Sequence, residues 1–337
     1  MAATIIDVAR EAGVSISTVS YALSGKRPVS DRTRRRIEAA ILELGYRPNA
    51  GARALAGRRT YVFAVTEPLR PDTYTPTHMA FVLATAKAAR QYDYDVLLLT
   101  QEEANGGLQR VTGSRIVDGV IVLDVLDHDE RITLLRTLDI PAVVVGVPAD
   151  PAGLVCVDLD FAAVAQLAVD RLVDGGHRRL GLLGHPAAAY ERGQNFPVRF
   201  REAFVSCAQS RGVSAQVATP ERTIADARSA MAELFDGPDP VTGLVMHCED
   251  SIQMRALDEL RARGLDIPGD VSVISAASTF DTTTFTPALD VIPLVPDQSC
   301  SRAVELLVEQ LEGPIEPRVE LLPPEYIERG SASAVLA

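Results

Sequence analysis

IIDVAREAGVSISTVSYALSGKRPVSDRTRRRIEAAILELGYRPN, residues 5–49, spells three short helices in a row. Thr4 is placed to cap the first, with Asp7 three residues on, close to a capping box. That helix covers about Ile5 to Ala12, and Gly13 ends it in a tight Gly-Val-Ser turn. Ser15 caps a second helix from about Ser17 to Leu23. After the polar break Ser24-Gly25-Lys26-Arg27-Pro28, Ser30 caps a third from Asp31 to Leu44. Ile37, Ile41 and Leu44 recur there at helical spacing, with Ala40 alongside. Val8, Val14, Val19 and Leu23 offer matching faces, so a small three-helix core is expected.

A helix, a short glycine turn and a second helix rich in small polar side chains make a helix-turn-helix pattern. The second helix of such a motif lies in a major groove, where Ser and Thr near its start meet phosphates or base edges. A plain helical hairpin, whose Ser and Thr only cap helix ends, gives the same pattern. Charge separates the two readings. The 337-residue chain has 33 Lys and Arg against 45 Asp and Glu, a net of −12, which taken whole disfavours nucleic acid. Residues 1–60, however, carry 11 basic and 5 acidic side chains, a net of +6, and residues 61–337 hold −18. A basic head on an acidic body favours DNA.

Several classes drop out. No apolar run approaches the roughly 20 residues of a membrane helix. Asp7, Arg10 and Glu11 interrupt any signal-peptide core. Cys156, Cys207, Cys248 and Cys300 form no CxxC pair and the histidines no HExxH, so neither a metal nor a disulfide framework is expected. Gly25-Lys26 has no P-loop upstream, Gly181 to Gly184 lacks a dinucleotide spacing, and there is no GxSxG elbow. The reading is a cytoplasmic protein with no cofactor and no catalytic constellation.

From Tyr61 onward, short apolar runs alternate with amphipathic stretches. Strands are expected at Tyr61–Thr66, Asp95–Thr100, Gly119–Leu123 and Ala142–Val147, then at Arg179–Gly184, Gly243–His247 and Val271–Ser275. Helices are expected at Ala80–Tyr92, Ala162–Asp174, Pro197–Arg211 and Ser251–Arg263. Continuous apolar strands alternating with helices imply an α/β fold with parallel sheets covered on both faces. Two series imply two lobes, with a ligand cleft beside the strand ends.

The first sixty residues resemble the DNA-binding domain of the LacI/GalR family of bacterial transcription regulators. The resemblance rests on the DVAxxAGVSxxTVSxxL signature, on LGYRPN at the end of the third helix, and on ARALAG beyond it. It continues through VDGVIVL, DFAAVAQLAVDRLVDGGHRRLGLLG, ALDELRARGLDIPGDVSVIS and LLPPEYIERGS, and so covers nearly the whole chain. It implies a helix-turn-helix domain at 1–48, a hinge helix and linker at 49–60, and an effector-binding and dimerisation domain at 61–337. That last domain would be two-lobed and similar to periplasmic binding proteins, with three crossovers. Lobe one would take about 61–159 plus 291–320, and lobe two about 160–290 plus a C-terminal strand within 321–337.

The resemblance also implies roles. Ile16, Ser17 and Tyr21 would read bases, and Ser15, Thr18, Ser20, Ser24 and Asn49 would hold phosphates, with Thr4 in the same DNA-binding set. Leu55 would wedge between base steps in the minor groove, with Ala52 beside it. The implied partners are operator DNA, a small carbohydrate effector and a second copy of the chain.

The cleft departs from the family pattern. Thr75-Pro76-Thr77-His78 stands where Asn-Pro-Phe-Phe is common, and Ser275-Ala276-Ala277-Ser278 replaces Gly-Phe-Asp-Asp. Phe200 takes the place of an arginine four residues before an aromatic, leaving Arg192, Arg199 or Arg201 to substitute, and Glu249-Asp250 replaces Asn-Asp. The effector candidates are Thr75, His78, Asp124, Tyr190, Arg192, Arg199, Glu249 and Ser278, with Asp160 as a further carboxylate. Each has a plainer reading: His78 as a loop residue, Glu249 as a helix cap, His177 as a structural residue. The leading function is a ligand-responsive, homodimeric repressor on a near-palindromic operator. A sugar sensor with a degenerate DNA head, or an enzyme fused to such a head, are the alternatives.

Overall fold

A computed structural model of the chain describes residues 3–24, 28–46, 59–100 and 104–334. It divides into two compact units, Met1–Tyr61 and Val62–Ala337.

The first unit is helical: α1 (Ile5–Glu11), α2 (Ile16–Ser24) and α3 (Asp31–Leu44). Each start is capped as the sequence suggests. The Thr4 backbone N–H donates to the Asp7 carboxylate at 2.9 Å while the Thr4 hydroxyl accepts from the Asp7 N–H at 3.4 Å, a complete capping box. Ser15 accepts from the Thr18 N–H at 3.1 Å, and Ser30 from the Thr33 N–H at 3.3 Å. Gly13 takes φ +59°, a left-handed turn that glycine adopts without strain. Arg36 of α3 reaches back to the Ala12 and Gly13 carbonyls at 2.5 and 3.4 Å, satisfying acceptors that α1 leaves unpaired at its end. Val8, Ala9, Ala12, Val19, Ile37 and Ala40 form the core.

The second unit holds two parallel sheets. The first is six-stranded: β1 (Val62–Thr66), β2 (Asp95–Leu99), β3 (Gly119–Val122), β4 (Ala142–Val145), β5 (Val155–Leu159) and β11 (Arg318–Leu322), in the order β11-β5-β4-β3-β1-β2. Helices α4 (Thr75–Arg90) and α12 (Pro296–Glu312) cover one face through Val82, Ala88, Ala303 and Leu307. Helices α5 (Ala104–Gly113) and α6 (Glu130–Leu135) cover the other through Leu108, Val111, Ile132 and Leu135. The second sheet is five-stranded: β6 (Arg179–Leu183), β7 (Ser214–Ala218), β8 (Gly243–Met246), β9 (Ser272–Ser278) and β10 (Asp290–Pro293), in the order β10-β9-β8-β6-β7. On one side it carries α7 (Phe161–Asp174) and α9 (Asn195–Ser210), packed through Val164, Leu172, Phe200 and Phe204. On the other lie α10 (Ile224–Phe235) and α11 (Asp250–Ala262), and the short α8 (Ala187–Glu191) precedes α9.

The chain passes between the lobes after β5, after β10 and after β11. Two of these crossings fall elsewhere than the sequence suggests. Residues 291–293 pair with β9 in the second sheet, not in lobe one. Residues 321–322 pair with β5 in the first sheet, not in lobe two. The expected C-terminal strand of lobe two is, among the described residues, a single antiparallel bridge between Ile327 and Val291. Asp290 explains the tether. Its buried carboxylate accepts from the backbone N–H groups of Arg329, Gly330 and Ser331 at 2.7, 2.6 and 3.0 Å and from the Tyr326 hydroxyl at 2.5 Å. Side-chain anchoring thus replaces a strand ladder.

No helix among the described residues is long and apolar enough to cross a membrane. All four cysteines are free.

Candidate functional site

In the first unit, Val19 turns α2 inward, fully buried. The opposite side of the same helix presents Ser17 to solvent, and Ile16 in its first turn is 46 % exposed. Ser15, Ser17 and Thr18 form a hydroxyl cluster at the helix start, with Ser15 Oγ 2.7 Å from both partners. Ser20 and Tyr21 are half-buried along the flank. Thr4 is exposed, but its polar groups are engaged by Asp7. The side chain of Ser24, and Asn49, Ala52 and Leu55 with the expected hinge helix, lie outside the described residues. Arg32, Arg34 and Arg35 stand exposed on α3, adding positive charge to this unit.

In the second unit a cavity of about 1230 Å³, its open mouth included, lies between the lobes. Its first-lobe wall is ionic. Glu67 follows β1 and is buried, and its carboxylate meets His78 Nδ1 at 2.6 Å. Burial raises the Glu67 pKa, with His78 opposing. Burial alone would lower that of His78, but the hydrogen bond to Glu67 and the charges of Glu67 and Asp124 outweigh it and raise it. Asp124 accepts from Arg70 at 2.6 Å and from Gln194 at 2.7 Å. Burial pushes the Asp124 pKa up, yet His78, Arg70 and Gln194 bring it below the ordinary value. Behind this wall, buried Arg131 is bidentate on Asp129, at 2.9 and 2.6 Å, and donates to the Asp124 carbonyl at 2.7 Å. Asp158, at the end of β5, is driven by burial to about 6, with Arg199 opposing from 2.6 Å.

Polar contacts cross the cavity from lobe to lobe. Thr77 meets Thr279 at 3.0 Å, Asn195 donates to Asp127 at 2.5 Å, and Arg199 grips Asp158. At the mouth the Tyr74 hydroxyl donates to Asp250 and Arg192 pairs with Asp72. Asp124 and Ala277 both line the cavity with positive φ, +49° and +50°. Non-glycine residues held there store strain, and such residues cluster at ligand clamps and switches.

Of the sequence candidates, His78, Asp124, Arg192, Glu249 and Ser278 line the cavity. His78 sits in the first turn of α4 rather than in a loop, because Pro76 starts that helix five residues earlier than expected. Glu249 stands at the N-cap position of α11 but makes no cap bond; its carboxylate is bidentate with Arg222. The remaining candidates lie elsewhere. Thr75 is an exposed first residue of α4. Tyr190 turns its hydroxyl to the His185 backbone N–H at 3.2 Å and its ring to Arg201, 4.3 Å away. Arg199 stands behind Asp158 rather than on the wall. Asp160 caps α7 through the Ala163 N–H at 3.0 Å. His177 is structural, bonded to Thr242 and Ser272 at 3.0 and 2.9 Å.

Sequence reasoning missed Glu67, Asp158, His185, Gln194 and Arg222. Glu67 and Asp158 did carry a signal, since each is a carboxylate at the C-terminal end of an apolar strand. Glu67, His78 and Asp124 place ligand atoms within 4.8 Å of one another, a spacing that would suit a metal ion. Arg70 on Asp124 already supplies positive charge there, and the Glu67 carboxylate is engaged by His78.

Residues 4–49 match the model of bacterial regulatory proteins of the lacI family, and residues 169–332 that of a periplasmic binding protein-like domain. The HTH-type transcriptional regulator CelR of Thermobifida fusca is 32% identical over 285 residues, 80% of this chain and 81% of that protein. The chain belongs to the lacI family. It is accordingly a DNA-binding transcriptional regulator and not an enzyme. Among solved structures, a lac repressor dimer bound to operator and an anti-inducer superposes on this lacI-family chain with a TM-score of 0.83, at 22% identity, covering 99% of this chain and 100% of that one. A CelR–cellobiose complex superposes with a TM-score of 0.68 at 26% identity, covering 98% and 99%. The lacI-family fold thus accounts for both units, the helical head and the two-lobed body.

Proposed function

We propose that this regulator is a cytoplasmic, homodimeric repressor whose hold on a near-palindromic operator is set by a small molecule bound between its lobes. The observation that carries the reading is the interlobe cavity, where each lobe supplies charged groups and polar contacts bridge the two. A ligand seated there touches both lobes at once, so its binding free energy depends on their relative orientation, which is what an allosteric effector requires. The CelR–cellobiose complex supports a carbohydrate class. His78, Asp124, Arg192, Glu249 and Ser278, joined by Glu67, Asp158 and Gln194, are the groups for the effector.

On DNA, the exposed start of α2 suits the major groove: Ile16, Ser17 and Tyr21 toward base edges, and Ser15, Thr18 and Ser20 toward phosphates. Thr4, Ser24 and Asn49 extend the phosphate set, and Ala52 and Leu55 the minor-groove contact. Two heads related by two-fold symmetry would read two half-sites. Titration of candidate promoter fragments at several salt concentrations tests the reading. A linear fall of log affinity with log salt and a sequence preference of at least 10³-fold is the expected result. A flat salt response overturns it.

A further inference from the structure

The two walls of the cavity differ in chemistry. The first-lobe wall is Glu67, His78, Asp124 and Asp158, suited to hydroxyl groups. The second-lobe wall carries charge at Arg192, Arg222 and Glu249, but part of it is built from rings. Phe161 and Phe196 line it with centroids 5.4 Å apart, and His185 meets Phe196 edge-on at 5.1 Å and 87°. Behind them His247 stacks on Phe200 at 4.0 Å and meets His185 edge-on at 4.8 Å. Phe200 therefore fills with a ring the place where the family resemblance expects an arginine. Arg199 reaches the edge of the cluster, 5.7 Å over Phe161, but its charge is held by Asp158. A polyol pressed against these rings would give up water and find few acceptors in return.

His185 adds a second, independent observation. It lines the cavity, yet neither ring nitrogen is hydrogen-bonded among the described residues. Burial, then the positive charges of Arg222 and His78, hold its pKa down at about 3, so the ring is neutral. A neutral imidazole offers one donor and one acceptor. Phenylalanine faces beside an unsatisfied donor and acceptor match a flat ring that itself carries hydrogen-bonding atoms.

We propose that the effector joins two unlike halves: a polyhydroxyl part held by Glu67, His78, Asp124 and Asp158, and a planar heteroaromatic ring seated against Phe161 and Phe196 and hydrogen-bonded to His185. The inference rests on the reading of this cavity as the effector site. A nucleoside and a heteroaryl glycoside share that chemistry.

Calorimetry and thermal shift on the full-length protein separate the possibilities. The probes are adenosine, guanosine, cytidine and uridine; pyridyl and phenyl β-glucosides; and ribose, methyl β-glucoside and cellobiose as counterparts without a ring. The expected result is that at least one heteroaryl compound binds tenfold or more tightly than its own ring-free sugar. Which arm responds identifies nucleoside or glycoside. His185→Phe should weaken that compound at least tenfold and leave the phenyl glucoside unchanged. If the ring-free sugars bind as tightly as the heteroaryl compounds, the ring-slot inference falls while the effector reading stands. If no probe binds, the ring-slot inference falls; the effector reading falls with it only if a broad screen of sugars, sugar phosphates and other small metabolites also gives no thermal shift. Should His185→Phe melt well below the parent, the wild-type series decides alone.

Discussion

His247 is a fully buried imidazole with no hydrogen-bond partner on either nitrogen, held between the Phe200 ring and the edge of His185. An unmet buried polar group costs about 1–3 kcal/mol. Burial, then the neighbouring His185, depress its pKa well below 6.5. The unfolded chain therefore takes up a proton at this residue below pH 6.5 while the native chain does not, and stability falls as the pH drops through that value. His247→Phe keeps a ring and removes both effects. Thermal melts should show the variant more stable at pH 7.5, by about 1–3 kcal/mol, with the advantage growing at pH 5.5. Asp158 has the opposite sign. Its folded pKa of about 6 lies above the ordinary 3.8, so the native state holds the proton more tightly. Relative to Asp158→Asn, the parent should gain stability as the pH falls from 7 toward 4. A parallel pH dependence of the two proteins would refute the burial of an ionised Asp158.

Among elements, the turn between α1 and α2 depends on one glycine. Gly13 sits at φ +59°, and a Cβ there would come within 2.6 Å of the Arg36 guanidinium that closes α1. Gly13→Ala should lower head stability by about 1–2 kcal/mol through left-handed backbone strain and displace Arg36. Circular dichroism melts of the full chain should resolve an earlier helical transition, with the two sheets unaffected. The helices of this head were legible in the sequence because cap, spacing and stop coincide. For Asp31–Leu44, Ser30 starts the helix, Ile37 and Ala40 face inward, and Gly45 ends it, so both bounds agree with expectation. The strands that escaped notice lack such agreement. β7 and β11 are sheet edges with mixed exposure, and Val319 and Leu321 remain over a third exposed. β5 places a carboxylate, Asp158, in its apolar run, and β10 is four residues ending in Pro293. In the cavity, a carboxylate at a strand end such as Glu67 was legible only as a candidate, because the topology that brings it beside His78 and Asp124 is not written in local spacing. Arg199 misled for a related reason. It lies one position from the expected arginine, and that single step along α9 turns it to Asp158 while Phe200 points into the core.

At the scale of the whole molecule, the chain separates a positive head from a body of net −18. Only the head gains from phosphate contacts, so operator affinity should carry a steep salt slope while effector affinity stays nearly flat across the same range. The lobes are bridged by polar contacts (Tyr74 to Asp250, Arg192 to Asp72, Gln194 to Asp124) that end on residues at the cavity or its rim, so an effector that couples to operator through lobe orientation should act on them. Tyr74→Phe deletes one bridge and should weaken effector binding two- to tenfold, the usual net worth of a hydrogen bond of about 0.5–1.5 kcal/mol. Linkage makes any such coupling reciprocal, whatever its structural route. Whatever factor saturating effector applies to the operator dissociation constant, saturating operator must apply to that of the effector, typically about 5–150-fold. Calorimetric titration of effector with and without operator, beside operator titrations with and without effector, measures both factors. A common factor well above one, reduced by Tyr74→Phe in both titrations, is the expected outcome; a factor of one would show that the cavity and the head do not share a conformational switch.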